Sequence, residues 1–426
     1  MANELIAERL QLQREIPHWR QAADRLKDID ALTSPASWRH LEKGTGAEIH
    51  SSLVAAVERL NAMGRTLTPG SINGANMAEI KRLRSGLNQF RKQYLKTEIT
   101  IDLYTDALNT RGNKKIGLIL AAYDALARKS MQSLLSPLGY ASPPVLTYLD
   151  NGRGASIAKA GMRLWDGGTI NPCAVIKVVQ HNIYRNTSLI HEAGHQVAKI
   201  TGWTEELSAV LNQGLGGYST ELAKVWGSWS SEIAADTYAF VHTGYASVAG
   251  LHDVVSGDAK SAFRYRPGDP HPISYLRVLL GVEMCRTYYG KGPWDDMEKA
   301  WVARNPLSAA NPQTRTIIRA SLPLIKNIVN IILKKPMKAF KNKNIQYWIN
   351  PMDVHPKKLK SFIDRYGESV FSSKYWVSND PLKLLAISAL DTGSRRSMAT
   401  GRQEKWLLQL GNRIVSVPGT TIATGV

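Results

Sequence analysis

Near the middle of the 426-residue chain, two imidazoles and a carboxylate fall within five consecutive positions, His191-Glu192-Ala-Gly-His195. Residues four apart on a helix share a face, so both histidines can reach one divalent ion, and zinc suits such a pair. Glu192 sits beside His191, where it can take a proton from a water activated by that ion without ligating it. The flanks fit a helix of about four turns, with Thr187 as N-cap and Gly202 as stop. Two histidines leave a zinc site one protein ligand short. Downstream, Ser231-Glu232-Ile-Ala-Ala-Asp236-Thr-Tyr238 offers two carboxylates four apart, with Ala234 and Ala235 small enough for close helix packing. Glu232 can complete the ligand set. Asp236 can accept the free N–H of a ligand histidine and hold its tautomer.

H-E-x-x-H followed by E-x-x-x-D resembles the gluzincin metallopeptidases. The metzincin extension is absent, because its Gly and His positions hold Ala198 and Thr201. Asp269-Pro-His271-Pro272-Ile-Ser-Tyr275-Leu-Arg277 is similar to the His-Pro…Arg motif of the prenyl-protein-processing and HtpX-like branch. The resemblance spans roughly residues 170–280. Members of that branch usually carry membrane-spanning helices. Here the strongest apolar stretch, 317–333, is interrupted by Arg319, Pro323 and Lys326, so no transmembrane segment is expected. The soluble gluzincin class is the better comparison.

That resemblance implies His191, His195 and Glu232 as Zn2+ ligands, Glu192 as general base, and Asp236 behind a ligand histidine. His271 and Arg277 would be cleft residues near the metal. The implied reaction is hydrolysis of a peptide or protein substrate, with Glu192 passing the water's proton to the leaving amine. His271, then Tyr275 or Tyr238, are the candidate oxyanion donors. In such a fold the strand Ala174–Val179 would be the edge that pairs with an extended peptide.

The elements around these residues read as α+β and predominantly α-helical, a zincin-like core of small sheet and metal-binding helix flanked by helical regions. In residues 1–140, Ile80, Leu83, Leu87, Phe90, Tyr94, Ile101, Tyr104 and Leu108 step by threes and fours, with only Thr97 breaking the apolar series, the seam of a long helix. Pro69-Gly70 precedes that seam and Arg111-Gly112-Asn113 ends it. A second run through Ile116, Ile119, Tyr123, Leu126 and Leu134 suggests an antiparallel helical hairpin. Residues 141–300 hold the metalloprotease-like region. Short apolar runs at 145–149, 161–165 and 173–179, set off by the turns Asn151-Gly152-Arg153-Gly154 and Asp166-Gly167-Gly168, suggest a three-stranded sheet. Gly214-Leu-Gly-Gly217 reads as a connection. Cys173 and Cys285 are too few for a disulfide scaffold and are expected to be buried, while His181 and His242 read as structural.

Residues 301–426 carry 20 Lys/Arg against 6 Asp/Glu, +14 of the chain's +19. Between 317 and 333, Leu324, Ile325, Ile328, Val329 and Ile332 make an apolar side, and Lys334, Lys335, Lys338, Lys341 and Lys343 follow. Tyr347, Trp348, Lys357, Lys358 and Lys360 extend the series. That pattern suits an anionic membrane surface or nucleic acid, or a basic subdomain packed on the protease with solvated lysines. Serine-hydrolase and P-loop motifs are absent. No cleavable signal precedes the first helix, so a cytoplasmic protein, or one exported without such a signal, is expected. Three functions fit: a zinc endopeptidase, a zinc hydrolase of non-peptide amides, or a non-catalytic zinc-containing module that binds an anionic partner through 301–426.

Overall fold

The computed structural model describes residues 2–42, 44–68, 72–152, 154–390 and 396–415. The turn signals at Pro69, Gly70 and Arg153 lie outside the described residues, as does the end of the basic region, 416–426. The chain is predominantly helical with one small sheet.

Four long helices come first: α1 (Ala2–Arg25), α2 (Thr45–Arg65), α3 (Met77–Asn109) and α4 (Lys114–Leu138). α3 opens with a reciprocal cap. Asn76 Oδ1 accepts the Glu79 N–H, and Glu79 accepts the Asn76 N–H. Asn113 caps α4. The expected hairpin of α3 on α4 does not form. The α3 seam, with Ile80, Leu87, Phe90 and Tyr104 buried, packs on α1 and α2 instead. The reason lies at the bend. Arg111 is fully buried and donates to both Asp124 oxygens at 2.8 and 2.7 Å, to the Thr147 carbonyl at 2.8 Å and to the His40 carbonyl at 3.0 Å. A buried guanidinium needs these partners, and Thr147 belongs to a strand. The strand therefore lies against both helices.

That strand is β1 (Val145–Asp150), followed by β2 (Ser156–Ala158) and β3 (Ala174–Val179) in the order β1-β3-β2. β3 runs parallel to β1 (Val145↔Ala174) and antiparallel to β2 (Ile157↔Ile176). Two expectations are corrected. The second strand in sequence is Ser156–Ala158, too short to show alternation, while 161–165 enters a turn closed by one bridge, Arg163↔Ile170. And β3 is central with both sides paired, so the edge strands are β1 and β2. Alternate β3 residues face opposite layers: Ala174, Ile176 and Val178 join the main core, and Cys173 and Val175 meet the N-terminal helices.

The remaining helices used below are α5 (Ser188–Thr201), α6 (Trp203–Gly216), α7 (Ser230–Thr243), α8 (Tyr245–Val255), α9 (Ser274–Tyr289), α10 (Ile325–Lys334), α11 (Pro381–Leu390) and α12 (Arg396–Val415). Gly214 is not in a loop but in the last turn of α6, facing Ile331 of α10, whose Cδ1 would stand 2.6 Å from an added Cβ. One buried cluster runs from Ile119 on α4 to Leu410 on α12. It takes in Ile325, Ile328, Val329 and Ile332, so the apolar side of α10 is covered by α6, α7 and α9. By length and composition the helical stretch Pro312–Lys334, 23 residues, could cross a membrane, which the sequence reading did not expect. Cys173 and Cys285 are buried.

Candidate metal centre

α5 and α7 cross in close contact at Gly194. A Cβ there would fall 2.9 Å from Tyr238 Cβ and 3.0 Å from Ala235 Cα, so the crossing needs a residue without one. Ala234 and Ala235 keep the facing side of α7 low. This approach sets Glu232 and Asp236 opposite His191 and His195. α5 is capped by Asn186 rather than by the Thr187 side chain, since Asn186 Oδ1 accepts the Leu189 N–H at 3.2 Å. It ends at Gly202 with φ 70°.

His191 Nε2 lies 3.4 Å from Glu232 Oε2, and His195 Nε2 lies 3.2 Å from Glu232 Oε1. The ligand atoms of the three residues are within 4.8 Å of one another. Donors about 2.1 Å from a tetrahedral ion stand roughly 3.4 Å apart, so the observed spacing suits one ion held among them. The far nitrogens are engaged as well. His191 Nδ1–H donates to Asp236 Oδ1 at 2.9 Å, and Ser231 Oγ lies 3.2 Å from His195 Nδ1. Both imidazoles are thus held with Nε2 turned toward Glu232.

Arg277 stands behind the carboxylates, not free in the cleft. Its Nε and Nη2 donate to Asp236 at 2.6 and 2.8 Å, and Nη2 reaches Glu232 Oε2 at 2.9 Å. Burial alone would raise both acids. The guanidinium and the histidines outweigh it, holding Glu232 well below the usual carboxylate range and Asp236 below its own. Burial likewise opposes charge on His191, but hydrogen bonds to Asp236 and Glu232 prevail and push it up to about 10.

The group opens into a cavity of about 530 Å³ lined by Glu192, Asp236, His271, Arg277 and Lys159, among others. His271 sits on the rim with its side chain 62% exposed, its Nε2 3.6 Å from Glu232 Oε1. Its Nδ1 and backbone N–H both donate to Asp269, at 2.7 and 3.0 Å. Tyr238 and Tyr275, considered for the cleft, are buried and do not line it. Tyr238 fills the α5–α7 crossing, and Tyr275 packs against Phe263 and Trp301. His242 is buried at the end of α7, away from the ligands.

Sequence reasoning passed over Ser231, Gln196 and Lys159. Ser231 and Gln196 adjoin Glu232 and His195 in sequence, a signal that could have drawn attention to them. Gln196 Oε1 accepts the Ala160 N–H at 2.8 Å and its Nε2 donates to the Ala160 carbonyl at 3.4 Å, tying the end of β2 to α5. Lys159 carries no sequence signal.

No protein-family model, curated protein or solved structure matches the chain. The arrangement stands on its donors alone: His191, His195 and Glu232 could hold a metal ion.

Proposed function

We propose that the chain is a zinc-dependent peptidase of gluzincin type, with β1–β3 and α5 as a zincin-like core. One observation supports this most: two Nε2 atoms and a carboxylate converge at ligand spacing while Glu192, on the same helix, lines the same cavity. Two imidazoles and a carboxylate are a donor set that zinc accepts. Zinc bound there would supply Lewis acidity, bringing a water's pKa toward neutrality and polarising a carbonyl. Glu192 takes the proton from the attacking water and gives it to the leaving amine. His271 is positioned by Asp269 to hydrogen-bond the oxyanion as it develops. Asp236 and Arg277 keep His191 and Glu232 in place through the cycle.

The edge strand supports a peptide over a non-peptide amide. Among the described residues no strand pairs with the outer side of β2, and Ser156 and Ile157 line the cavity. An extended substrate can add there through main-chain hydrogen bonds, the role first expected of β3.

A rival reading has support of its own. His191, Glu232, Asp236 and Arg277 already pair with one another, as a charge cluster in a non-catalytic module would. The test is digestion of a mixed peptide library by the parent and by Glu192→Gln. The proposal expects cleavage by the parent, lost by about 10²-fold or more in the variant with zinc retained. Equal cleavage by both, or none by the zinc-loaded parent, rejects it.

A further inference from the structure

Among the described residues, three cationic side chains other than histidines line the cavity: Lys159, Arg185 and Arg277. Arg277 is taken up by Asp236 and Glu232, and Arg185 faces Asp253 at 3.8 Å. Lys159 differs. No carboxylate of the described residues lies within ion-pair distance of its ammonium, although the side chain is largely withdrawn from water. Burial, and next the Lys199 ammonium, lower its pKa, while Glu232, Glu192 and Glu205 act from further away to raise it. A part-buried cation without a partner is costly, and an anion entering the cavity would remove that cost.

Its placement is fixed. Lys159 directly follows β2, and the next residue, Ala160, is bound through both backbone groups by Gln196, the neighbour of His195. The backbone beside Lys159 is therefore tied to the helix that carries the ligand histidines. The ammonium projects from the end of the free edge rather than from the ligand cluster, a position suited to a substrate side chain more than to the reacting carbonyl.

We propose that Lys159 is the specificity residue of this site and takes the carboxylate of an Asp or Glu carried by the substrate close to the cleaved bond. The inference rests on the peptidase reading for the nature of its ligand.

The test uses the full chain with zinc, carrying Glu192→Gln so that peptides bind without turnover. Blocked, fluorescein-labelled hexapeptides that differ only in one residue (Asp, Asn or Lys), scanned along the sequence, are ranked by fluorescence anisotropy. At one position the Asp peptide should bind about tenfold tighter than its Asn counterpart, the size expected of one charge-assisted contact. Adding Lys159→Gln should erase that preference, and Lys159→Glu should turn it toward the Lys peptide. Lys224→Glu, the same charge change at an exposed position outside the cavity, should leave the ranking as it was. Equal affinities for Asp and Asn peptides at every position, or an Asp preference that survives Lys159→Glu, would overturn the inference. Charge-dependent ranking without hydrolysis by the parent upholds Lys159 and rejects the peptidase. Hydrolysis by the parent without any such ranking does the opposite.

Discussion

Asp236 serves two neighbours at once: it accepts the Nδ1 proton of His191 and takes the bidentate grip of Arg277. Removing it leaves the three ligands in place but frees one imidazole to rotate and leaves a buried guanidinium half-paired. Asp236→Ala should therefore lower zinc affinity by roughly 10–100-fold, the usual cost of losing a partner behind a ligand. Asp236→Asn should cost less, because its carbonyl can still accept the His191 proton. Competition with a zinc chelator would measure both, and unchanged affinity in Asp236→Ala would return this residue to a structural role. The shared face of each pair was legible in the sequence, since residues four apart on a helix lie together, while the meeting of the two helices was not. Tyr238 and Tyr275 were misplaced because an aromatic ring near a motif carries no sign of whether it faces cavity or core. Lys159 depends on how separate segments meet, which local spacing does not encode, whereas the Asn186 cap is local, and adjacent Asn186 and Thr187 both suit that role.

Among the elements, the α5–α7 crossing decides whether the ligands meet. A Cβ added at Gly194 would meet Tyr238 Cβ and Ala235 Cα, neither of which can move aside by rotating a side chain. Gly194→Val should force the helices apart at a cost of about 1–3 kcal/mol of overpacking, and zinc affinity should fall with it. Gly216→Ala, where an added methyl meets nothing within 4 Å, is the matched control and should bind zinc normally. Normal zinc binding by a folded Gly194→Val protein would show that the close approach is not needed. The same scale explains what the periodicity missed. α3 and α4 lie where two helical runs were expected, yet they are not partners, because hydrophobic stepping marks a buried face without naming what covers it. The edge role passed from β3 to β2 for a similar reason: a strong strand signal measures burial, and the most buried strand of a three-stranded sheet is the middle one.

Across the whole molecule, charge and core follow different maps. Charge divides the sequence near residue 300, but the main core runs through that point, from α4 to α12. The basic residues occupy the outside of elements whose apolar sides face inward. Lys334, Lys338, Lys341 and Lys343 are exposed, while Ile328, Val329, Ile332 and Leu333 beside them are buried. A partner for those lysines is a proposal that the packing leaves open to an anionic surface of any kind. The centre itself needs only α5 and α7, with Arg277 of α9 behind them. Everything argued for its chemistry depends on that cluster holding an ion. The most direct measurement is the zinc content of the purified full-length chain, by inductively coupled plasma mass spectrometry after zinc loading and gel filtration, beside His195→Ala and Glu232→Ala. The account predicts about one zinc per chain in the parent and near none in either variant. A folded parent that retains no zinc, or variants that retain as much as the parent, would contradict it.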